Sequence, residues 1–205
     1  MATIPGTAGN DSLTGGVDPD LITGEAGNDT LNGAGGADTV DGGTGADLLI
    51  WDEVPVVGSV VDTYHGGSGD EGFDTSPYSQ NGGDTLALVD AGGGDGFTVV
   101  LTDSHTGTVT GSYGNTLNFD GFERLVTGDG DDYINASGAA GVGGVGIRVH
   151  TGAGDDTVEG GAQTDYIHTG AGDDLVMAGD GNDVIEAGSG NDTVYGEAVN
   201  DGIRW

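Results

Sequence analysis

An aspartate recurs every nine residues in two stretches of this chain, and its carboxylates are the groups best placed for chemistry. In the unit TGAGDDTVE, residues 151–159, the aspartate is position six, and eleven further units share it. Glycine at positions two and four allows the backbone to adopt positive φ and to approach an ion closely. The pattern therefore predicts cation binding at Asp11, Asp20, Asp29, Asp38, Asp47, Asp132, Asp156, Asp165, Asp174, Asp183, Asp192 and Asp201.

The charge balance also indicates that the partners are cations. The chain has 35 acidic residues against three basic ones, and its formal net charge is −32. Such a chain is repelled by nucleic acid and by anionic membranes, so neither is an expected partner. The sequence has no cysteine, which excludes disulfides and thiolate metal sites. No apolar run approaches the length of a membrane-spanning helix.

Position eight of the repeat is aliphatic in all twelve units. A disordered chain has no reason to keep an acidic and an aliphatic column in register, whereas a short fixed period indicates a solenoid. The aliphatic column consists of Leu13, Ile22, Leu31, Val40, Leu49, Ile134, Val158, Ile167, Val176, Ile185, Val194 and Ile203.

The elements that position these columns follow from residue type. Positions seven to nine are rich in β-branched residues and predict short strands with position eight inward, and positions one to six predict glycine-rich turns. Helices are excluded because each frequent glycine would cost about 1 kcal/mol. Two units then form one turn, residues i and i+18 stack ~4.8 Å apart, and the fold class is all-β: a right-handed parallel β-roll, or β-solenoid.

This stacking places carboxylates directly above one another. Asp156 lies over Asp174, and two charges ~5 Å apart repel by about 1 kcal/mol in water and about 3 kcal/mol at an effective dielectric constant near 20. A cation between turns would receive one carboxylate and loop carbonyls from each turn. This all-oxygen set of about six ligands suits Ca²⁺ better than Mg²⁺, which demands strict octahedral geometry, or Zn²⁺, which prefers Cys and His.

Units such as AGDGNDVIE and GGTGADLLI resemble the nonapeptide of the RTX (repeats-in-toxin) calcium-binding family. The resemblance covers residues 6–50 and 127–204. It implies a β-roll that folds when calcium binds, export by type I secretion without a cleaved signal, and an extracellular or cell-surface location. Three units depart from the family pattern at position four, and we expect weaker coordination in their loops: Asp18, Gln163 and Val199.

Pairing by 18 residues predicts about eight calcium ions. The eighth pair, Asp132 with Asp156, is 24 residues apart and stacks if residues 136–150 form one lengthened half-turn. The other pairs are Asp11 with Asp29, Asp20 with Asp38, Asp29 with Asp47, Asp156 with Asp174, Asp165 with Asp183, Asp174 with Asp192, and Asp183 with Asp201.

The period divides the chain into three segments: an N-terminal roll at 1–50, a non-repeat spacer at 51–126 and a C-terminal roll at 127–205. Within the spacer, residues 97–112 predict a β-hairpin, 117–128 a strand that leads back into the repeats, and 66–71 and 81–90 degenerate repeats. We expect Phe97, Phe119 and Phe122 to cover the side of the roll while the spacer packs on it.

The sequence gives no support for catalysis, so no enzyme activity and no catalytic residue is predicted. The G-x-S-x-G, H-E-x-x-H and P-loop motifs are absent, and the four histidines are scattered. The predicted function is a calcium-dependent secreted scaffold. The alternatives are a carbohydrate-binding or adhesive accessory module and a fragment of a larger type I-secreted enzyme or toxin.

Both ends of the repeat array predict incomplete calcium sites. Asp11 and Asp20 lie at one end, and Asp192 and Asp201 lie at the other, with no room for a capping element. Two explanations are open: the chain is part of a longer exported protein, or subunits stack head to tail through shared calcium ions into a filament.

Overall fold

The computed structural model describes residues 1–53, 59–68, 83–90, 96–139, 145–197 and 200–205. These residues form strands and turns with no helix, and hence no helix that could span a membrane. The strands are β1 (Thr3–Thr7), β2 (Ser12–Thr14), β3 (Leu21–Glu25), β4 (Thr30–Asn32), β5 (Thr39–Asp41), β6 (Leu48–Glu53), β7 (Val61–His65), β8 (Thr85–Asp90), β9 (Thr98–Leu101), β10 (Gly107–Thr110), β11 (Thr116–Asp120), β12 (Arg124–Val126), β13 (Tyr133–Asn135), β14 (Val145–Ala153), β15 (Thr157–Glu159), β16 (Thr164–Ala171), β17 (Leu175–Met177), β18 (Val184–Ser189), β19 (Thr193–Tyr195) and β20 (Gly202–Arg204).

Consecutive repeat units alternate between two sheets, which confirms the predicted all-β fold of stacked parallel strands. We call them the odd sheet, in the order β1-β3-β5-β7-β11-β10-β9-β13-β15-β17-β19, and the even sheet, in the order β2-β4-β6-β8-β12-β14-β16-β18-β20. Within the repeat segments, most neighbours pair in parallel with an 18-residue offset, as Leu31 does with Leu49 and Val158 with Val176.

In the repeat segments, the interior between the sheets is built mainly from the position-eight column. Its inner members, such as Leu31, Val40 and Ile134, are completely buried, and only the end members Leu13, Val194 and Ile203 keep partial exposure. Burial of each such side chain contributes about 1.5–3 kcal/mol. Positions seven and nine point to the outer faces, because successive side chains of a strand alternate.

The strand register confirms the lengthened half-turn that was predicted at residues 136–150. Ile134 pairs with Val158 and Leu125 with Val149, both 24 residues apart instead of 18. The strand β14 that follows the longer connection has a register shift between Val145 and Arg148. The solenoid therefore absorbs six extra residues without losing the alignment of its inward side chains.

The middle of the chain continues both sheets. Strands β7 and β8 extend the odd and even sheets in parallel, and β9, β10 and β11 form an antiparallel meander inside the odd sheet. The pairing of β9 with β10 confirms the predicted hairpin. Phe97, Phe119 and Phe122 are buried in the common core, although we expected them at the side of the roll. The three-segment division stays a prediction, and part of the degenerate repeat at 66–71 lies outside the described residues.

Candidate metal centres

The position-six aspartates stack as the spacing predicted, and a hydrogen bond joins each stacked pair. The Oδ1 atom of each later aspartate accepts the backbone N–H of the aspartate one turn before it. The N–H of Asp29 donates to Asp47 at 2.7 Å, and the N–H of Asp156 donates to Asp174 at 2.9 Å. The same bond spans the lengthened half-turn, from the Asp132 N–H to Asp156 at 2.8 Å. One carboxylate oxygen of each pair is thereby used to hold the turns together.

These aspartates are buried, which is unusual for carboxylates. Nine of the twelve expose at most 5% of their surface, and Asp11, Asp192 and Asp201 at the ends of the roll are partly exposed. The buried members are Asp20, Asp29, Asp38, Asp47, Asp132, Asp156, Asp165, Asp174 and Asp183. Because a buried carboxylate needs a partner for each oxygen, the second oxygen, Oδ2, decides what each site can bind.

Five of the buried aspartates have an Oδ2 atom with no hydrogen-bond partner. They are Asp29, Asp38, Asp47, Asp174 and Asp183. A buried acceptor without a partner costs about 1–3 kcal/mol, and more when it is charged. A calcium ion removes this cost, because it takes carboxylate and carbonyl oxygens in flexible geometry. The orphaned oxygens therefore fit the predicted metal.

The glycine at position one leaves space where further oxygens converge. A Cβ atom added to Gly24 would lie 2.3 Å from both Asp29 Oδ2 and the carbonyl oxygen of Gly42 in the next turn. At Gly42, a Cβ would lie 2.6 Å from Asp47 Oδ2 and 2.1 Å from the Gly66 carbonyl oxygen. A side chain at position one of these two loops would thus occupy the region where a carboxylate and a carbonyl approach each other.

Eight of the twelve loops adopt positive φ at both positions two and four. In the loop of Asp47, for example, Gly43 has φ 98° and Gly45 has φ 128°. In none of these eight loops does the aspartate Oδ2 accept the N–H of position two. The eight loops are those of Asp29, Asp38, Asp47, Asp132, Asp156, Asp174, Asp183 and Asp192.

Three loops lack this double left-handed conformation, and their aspartates are satisfied from within the loop. The Oδ2 atom accepts the position-two N–H at 2.6 Å in Asp11, at 2.8 Å in Asp20 and at 2.8 Å in Asp165. Two of these loops are the ones with Asp18 and Gln163 at position four, where a side chain disfavours positive φ. The third departure, Val199, lies outside the described residues.

Threonine at position one gives a further arrangement. The hydroxyl of Thr151 donates to Asp156 Oδ2 at 2.5 Å, and the hydroxyl of Thr127 donates to Asp132 Oδ2. Thr169 differs, because its hydroxyl donates to the Ala187 carbonyl oxygen at 2.8 Å and leaves Asp174 Oδ2 without a partner. Position one therefore changes the environment of the candidate ligand from one turn to the next.

Three acidic residues that the nine-residue pattern does not single out extend the columns through the middle segment. The N–H of Asp38 donates to Asp62 at 2.7 Å, that of Asp47 to Asp84 at 2.7 Å, and that of Asp84 to Glu123 at 2.6 Å. The signal was present at Asp84, which lies in the degenerate repeat 81–90. Trp51 donates its indole N–H to Asp62 Oδ2 at 2.6 Å, so an aromatic donor fills the second position there.

A second ladder on position five was also missed. The Oδ1 atom of Asp155 accepts the N–H of Asp173 at 2.8 Å, and that of Asp131 accepts the N–H of Asp155 at 2.8 Å. Asn10 does the same for Asn28 at 3.0 Å. Position-five oxygens thus reach forward along the roll, whereas position-six oxygens reach backward.

Burial raises the pKa of several position-six carboxyls above their ordinary value. The pKa of Asp132 rises to about 7, and those of Asp38, Asp156, Asp165 and Asp183 rise to about 6, mainly through burial. At Asp20 the pKa is lowered instead, chiefly by the Ala2 N–H, which donates at 2.7 Å. Without a cation, the inner loops therefore hold protons more tightly than an exposed aspartate does.

Within the described residues, no three His, Cys, Asp or Glu side chains cluster closely enough to hold a metal ion. The predicted ligand set contains only two carboxylates per ion, and backbone carbonyl oxygens supply the remaining ligands, so it does not require such a cluster.

The repeat pattern is matched by one family model, and no curated protein matches the chain. The model describes the RTX calcium-binding nonapeptide repeat and matches residues 3–18, 14–49, 118–140, 142–176 and 168–203. These ranges cover more than half of the chain, and they include every position-six aspartate described above. The chain belongs to the RTX calcium-binding nonapeptide repeat family.

Proposed function

We propose that this chain is a secreted structural scaffold that folds around calcium ions bound between its stacked loops. The observation that supports it best is the set of five buried aspartate Oδ2 atoms without a partner. All twelve position-six aspartates remain candidate ligands. The strongest candidates are Asp29, Asp38, Asp47, Asp174 and Asp183, because a cation that binds their Oδ2 atoms displaces no hydrogen bond.

The loop conformations refine the expected number of ions. The carboxylates of Asp11, Asp20 and Asp165 already accept an N–H on Oδ2, so a cation would have to compete with that bond. We therefore infer that pairs joining two left-handed loops bind calcium more tightly than pairs that include one of these three residues, apart from Asp132 with Asp156, where threonine hydroxyls already donate to both Oδ2 atoms. About eight ions is then an upper bound for the position-six column.

Circular dichroism and calorimetry test this function together. We expect a coil-like spectrum in EGTA and a β spectrum after addition of millimolar calcium, with magnesium giving a weaker response. Isothermal titration of the metal-depleted chain should give several ions per chain. A chain that shows the same spectrum with and without calcium would contradict the proposal.

A structural role is favoured over catalysis, because calcium-binding repeats of this family form a scaffold. The same membership supports an extracellular or cell-surface location reached by type I secretion, where calcium reaches the concentrations that weak loop sites need. Detection of the native protein in culture medium, with loss of detection when the type I exporter is deleted, tests this part.

We further propose that chains stack end to end through shared calcium ions. In the part of the chain that the structure describes, β1 and β2 have no neighbour on one side, and β19 and β20 have none on the other. Asp192 and Asp201 accept the N–H groups of Asp174 and Asp183 at 3.1 and 3.0 Å, and among the described residues their own N–H groups have no acceptor. The Oδ1 atom of Asp11 could accept such a bond from a second copy.

Light scattering tests the stacking. Calcium should cause growth of the particles, and Asp192→Ala or Asp201→Ala should reduce that growth while leaving the β spectrum in place. A calcium-loaded protein that stays monomeric at all concentrations would rule out the filament.

A further inference from the structure

All the arginines of this acidic chain lie on one surface, the outer face of the even sheet. The chain has three basic residues, Arg124 on β12, Arg148 on β14 and Arg204 on β20. The pairing register forms two neighbouring rows along the roll. One row runs through Arg124, Arg148 and Tyr166, and the other through His150, His168, Glu186 and Arg204. We call these seven residues the basic stripe.

The two central arginines lie side by side. Leu125 pairs with Val149, so the register places Arg124 next to Arg148 on the adjacent strand. Burial lowers the pKa of Arg124, and the charge of Arg148 lowers it further. Within the described residues, Arg124 makes no ion pair, although the chain has 35 acidic residues. A half-buried guanidinium beside a like charge is stabilised when an anion from outside binds it.

Aromatic rings lie next to these charges. The guanidinium carbon of Arg148 is 5.3 Å from the centre of the Tyr166 ring. In the second row the rings of His150 and His168 meet edge to face, with centroids 4.4 Å apart, and His168 Nδ1 is 3.8 Å from Glu186. These side chains offer ring faces and hydrogen-bonding nitrogens as well as positive charge.

The stripe is long enough for a polymer rather than a small ion. It crosses five parallel strands, from β12 to β20, and four strand spacings of ~4.8 Å span about 19 Å. Positive charge lies at both ends, and aromatic rings and the single carboxylate of Glu186 lie between them. An extended ligand that alternates anionic groups with apolar ring faces matches this order.

We propose that the basic stripe binds an acidic polysaccharide, with carboxylate groups at Arg124, Arg148 and Arg204 and sugar rings against Tyr166. Arginine forks bind carboxylates through two parallel hydrogen bonds, which supplies both charge and geometry. Nucleic acid fits less well, because its affinity depends on many phosphate contacts with Lys and Arg. This chain has only three such residues. Calcium in the loops reduces the net negative charge that would otherwise repel any polyanion.

Binding of the calcium-loaded full chain to immobilised polygalacturonate tests the proposal. Neutral dextran is the reference surface. The variant Arg124→Gln/Arg148→Gln should reduce affinity by about tenfold or more, because two charge-assisted contacts are lost. The matched control is Thr98→Asp/Asn118→Asp, which makes the same change in net charge on the exposed outer face of the odd sheet. Circular dichroism in calcium confirms that both variants keep the roll.

Three results would overturn the proposal. The first is wild-type binding to polygalacturonate no tighter than to dextran. The second is equal loss of affinity in both double variants, which would mean that only overall charge matters. The third is tighter binding to single-stranded oligo-dT or to anionic lipid vesicles than to polygalacturonate. Selective loss in the arginine variant, with the control unchanged, supports the stripe.

Discussion

At the scale of single residues, the partner of each aspartate Oδ2 distinguishes loops that share one sequence motif. Asp47 and Asp165 both occupy position six and are both buried, and both use Oδ1 to hold the neighbouring turn. Asp47 Oδ2 has no partner, whereas Asp165 Oδ2 accepts the Gly161 N–H. The same side chain is therefore a candidate metal ligand in one loop and a hydrogen-bond acceptor in another.

Replacing each of these aspartates by asparagine separates the two roles. We expect Asp47→Asn to lower the number of bound calcium ions or to raise the half-saturating calcium concentration, because the amide is a weaker ligand. Asp165→Asn should lower thermal stability but leave the number of ions unchanged. Isothermal titration and melting curves in calcium measure both effects. Equal loss of ions in the two variants would show that the hydrogen bond from the Gly161 N–H to Asp165 Oδ2 does not prevent calcium binding.

The threonine hydroxyls at position one give a second prediction at this scale. Thr151→Val removes the donor to Asp156 Oδ2 and to the Thr169 carbonyl oxygen, with little change in shape. We expect the free energy of unfolding to fall by about 1–3 kcal/mol in urea titrations with calcium present. Thr157→Val, on the outward face of β15, is the control and should change stability by less than about 0.5 kcal/mol. A similar loss in both variants would contradict this role.

At the scale of elements, the left-handed loops depend on glycine at particular positions. Gly45 has φ 128°, and a Cβ atom there would lie 2.1 Å from the Gly27 carbonyl oxygen. Gly9 occupies the same position four, but it does not have positive φ, and the nearest atom to its Cβ would be 4.0 Å away. Position four therefore requires glycine in the loop of Asp47, whereas the first loop has space for a side chain at this position.

Alanine substitution at these two glycines tests the contrast. Gly45→Ala should destabilise the calcium-loaded roll by about 1–3 kcal/mol, because it combines backbone strain with a clash against backbone. Gly9→Ala should be close to neutral. Melting temperatures by circular dichroism compare the two. A large loss in Gly9→Ala would indicate that the first loop adopts the left-handed conformation when calcium binds.

The sequence predicted the strands, the two stacked columns and the 24-residue step, because two chemically opposite residues repeat at fixed positions. It could not place Asp62, since the spacing from Asp38 grows to 24 residues and an aromatic, Tyr64, replaces the aliphatic position eight. The position-five ladder was missed because it mixes aspartate and asparagine, which differ in charge but share the accepting Oδ1 atom. Whether a loop adopts positive φ at positions two and four could not be predicted, because Glu25 and Ala34 have positive φ whereas the glycine Gly9 does not.

At the scale of the whole molecule, two columns of buried carboxylates oppose the folding of a chain with net charge −32. The three-residue strands of the repeats bury one aliphatic side chain each, and the buried carboxylates beside them must be neutralised by protons or by cations. These two solutions respond oppositely to pH. Protons bind the inner carboxylates at low pH, and calcium requires them to be ionised.

The metal-free chain should therefore gain structure on mild acidification. The pKa of Asp132 is about 7 and those of Asp38, Asp156, Asp165 and Asp183 are about 6 in the folded state, above the ordinary value of 3.8. The folded state then binds more protons than the unfolded state between these values. The resulting stabilisation is present at low pH and is lost as the pH rises from about 4 to about 7.

Circular dichroism in chelator measures this effect. We expect more β signal at about pH 5 than at about pH 7.5 without calcium, and a higher half-saturating calcium concentration at the lower pH because protons and calcium compete. High salt at about pH 7.5 is the control, since it screens general repulsion but does not protonate buried carboxylates. If salt restores the β signal as well as acid does, long-range repulsion and not the buried columns keeps the metal-free chain unfolded.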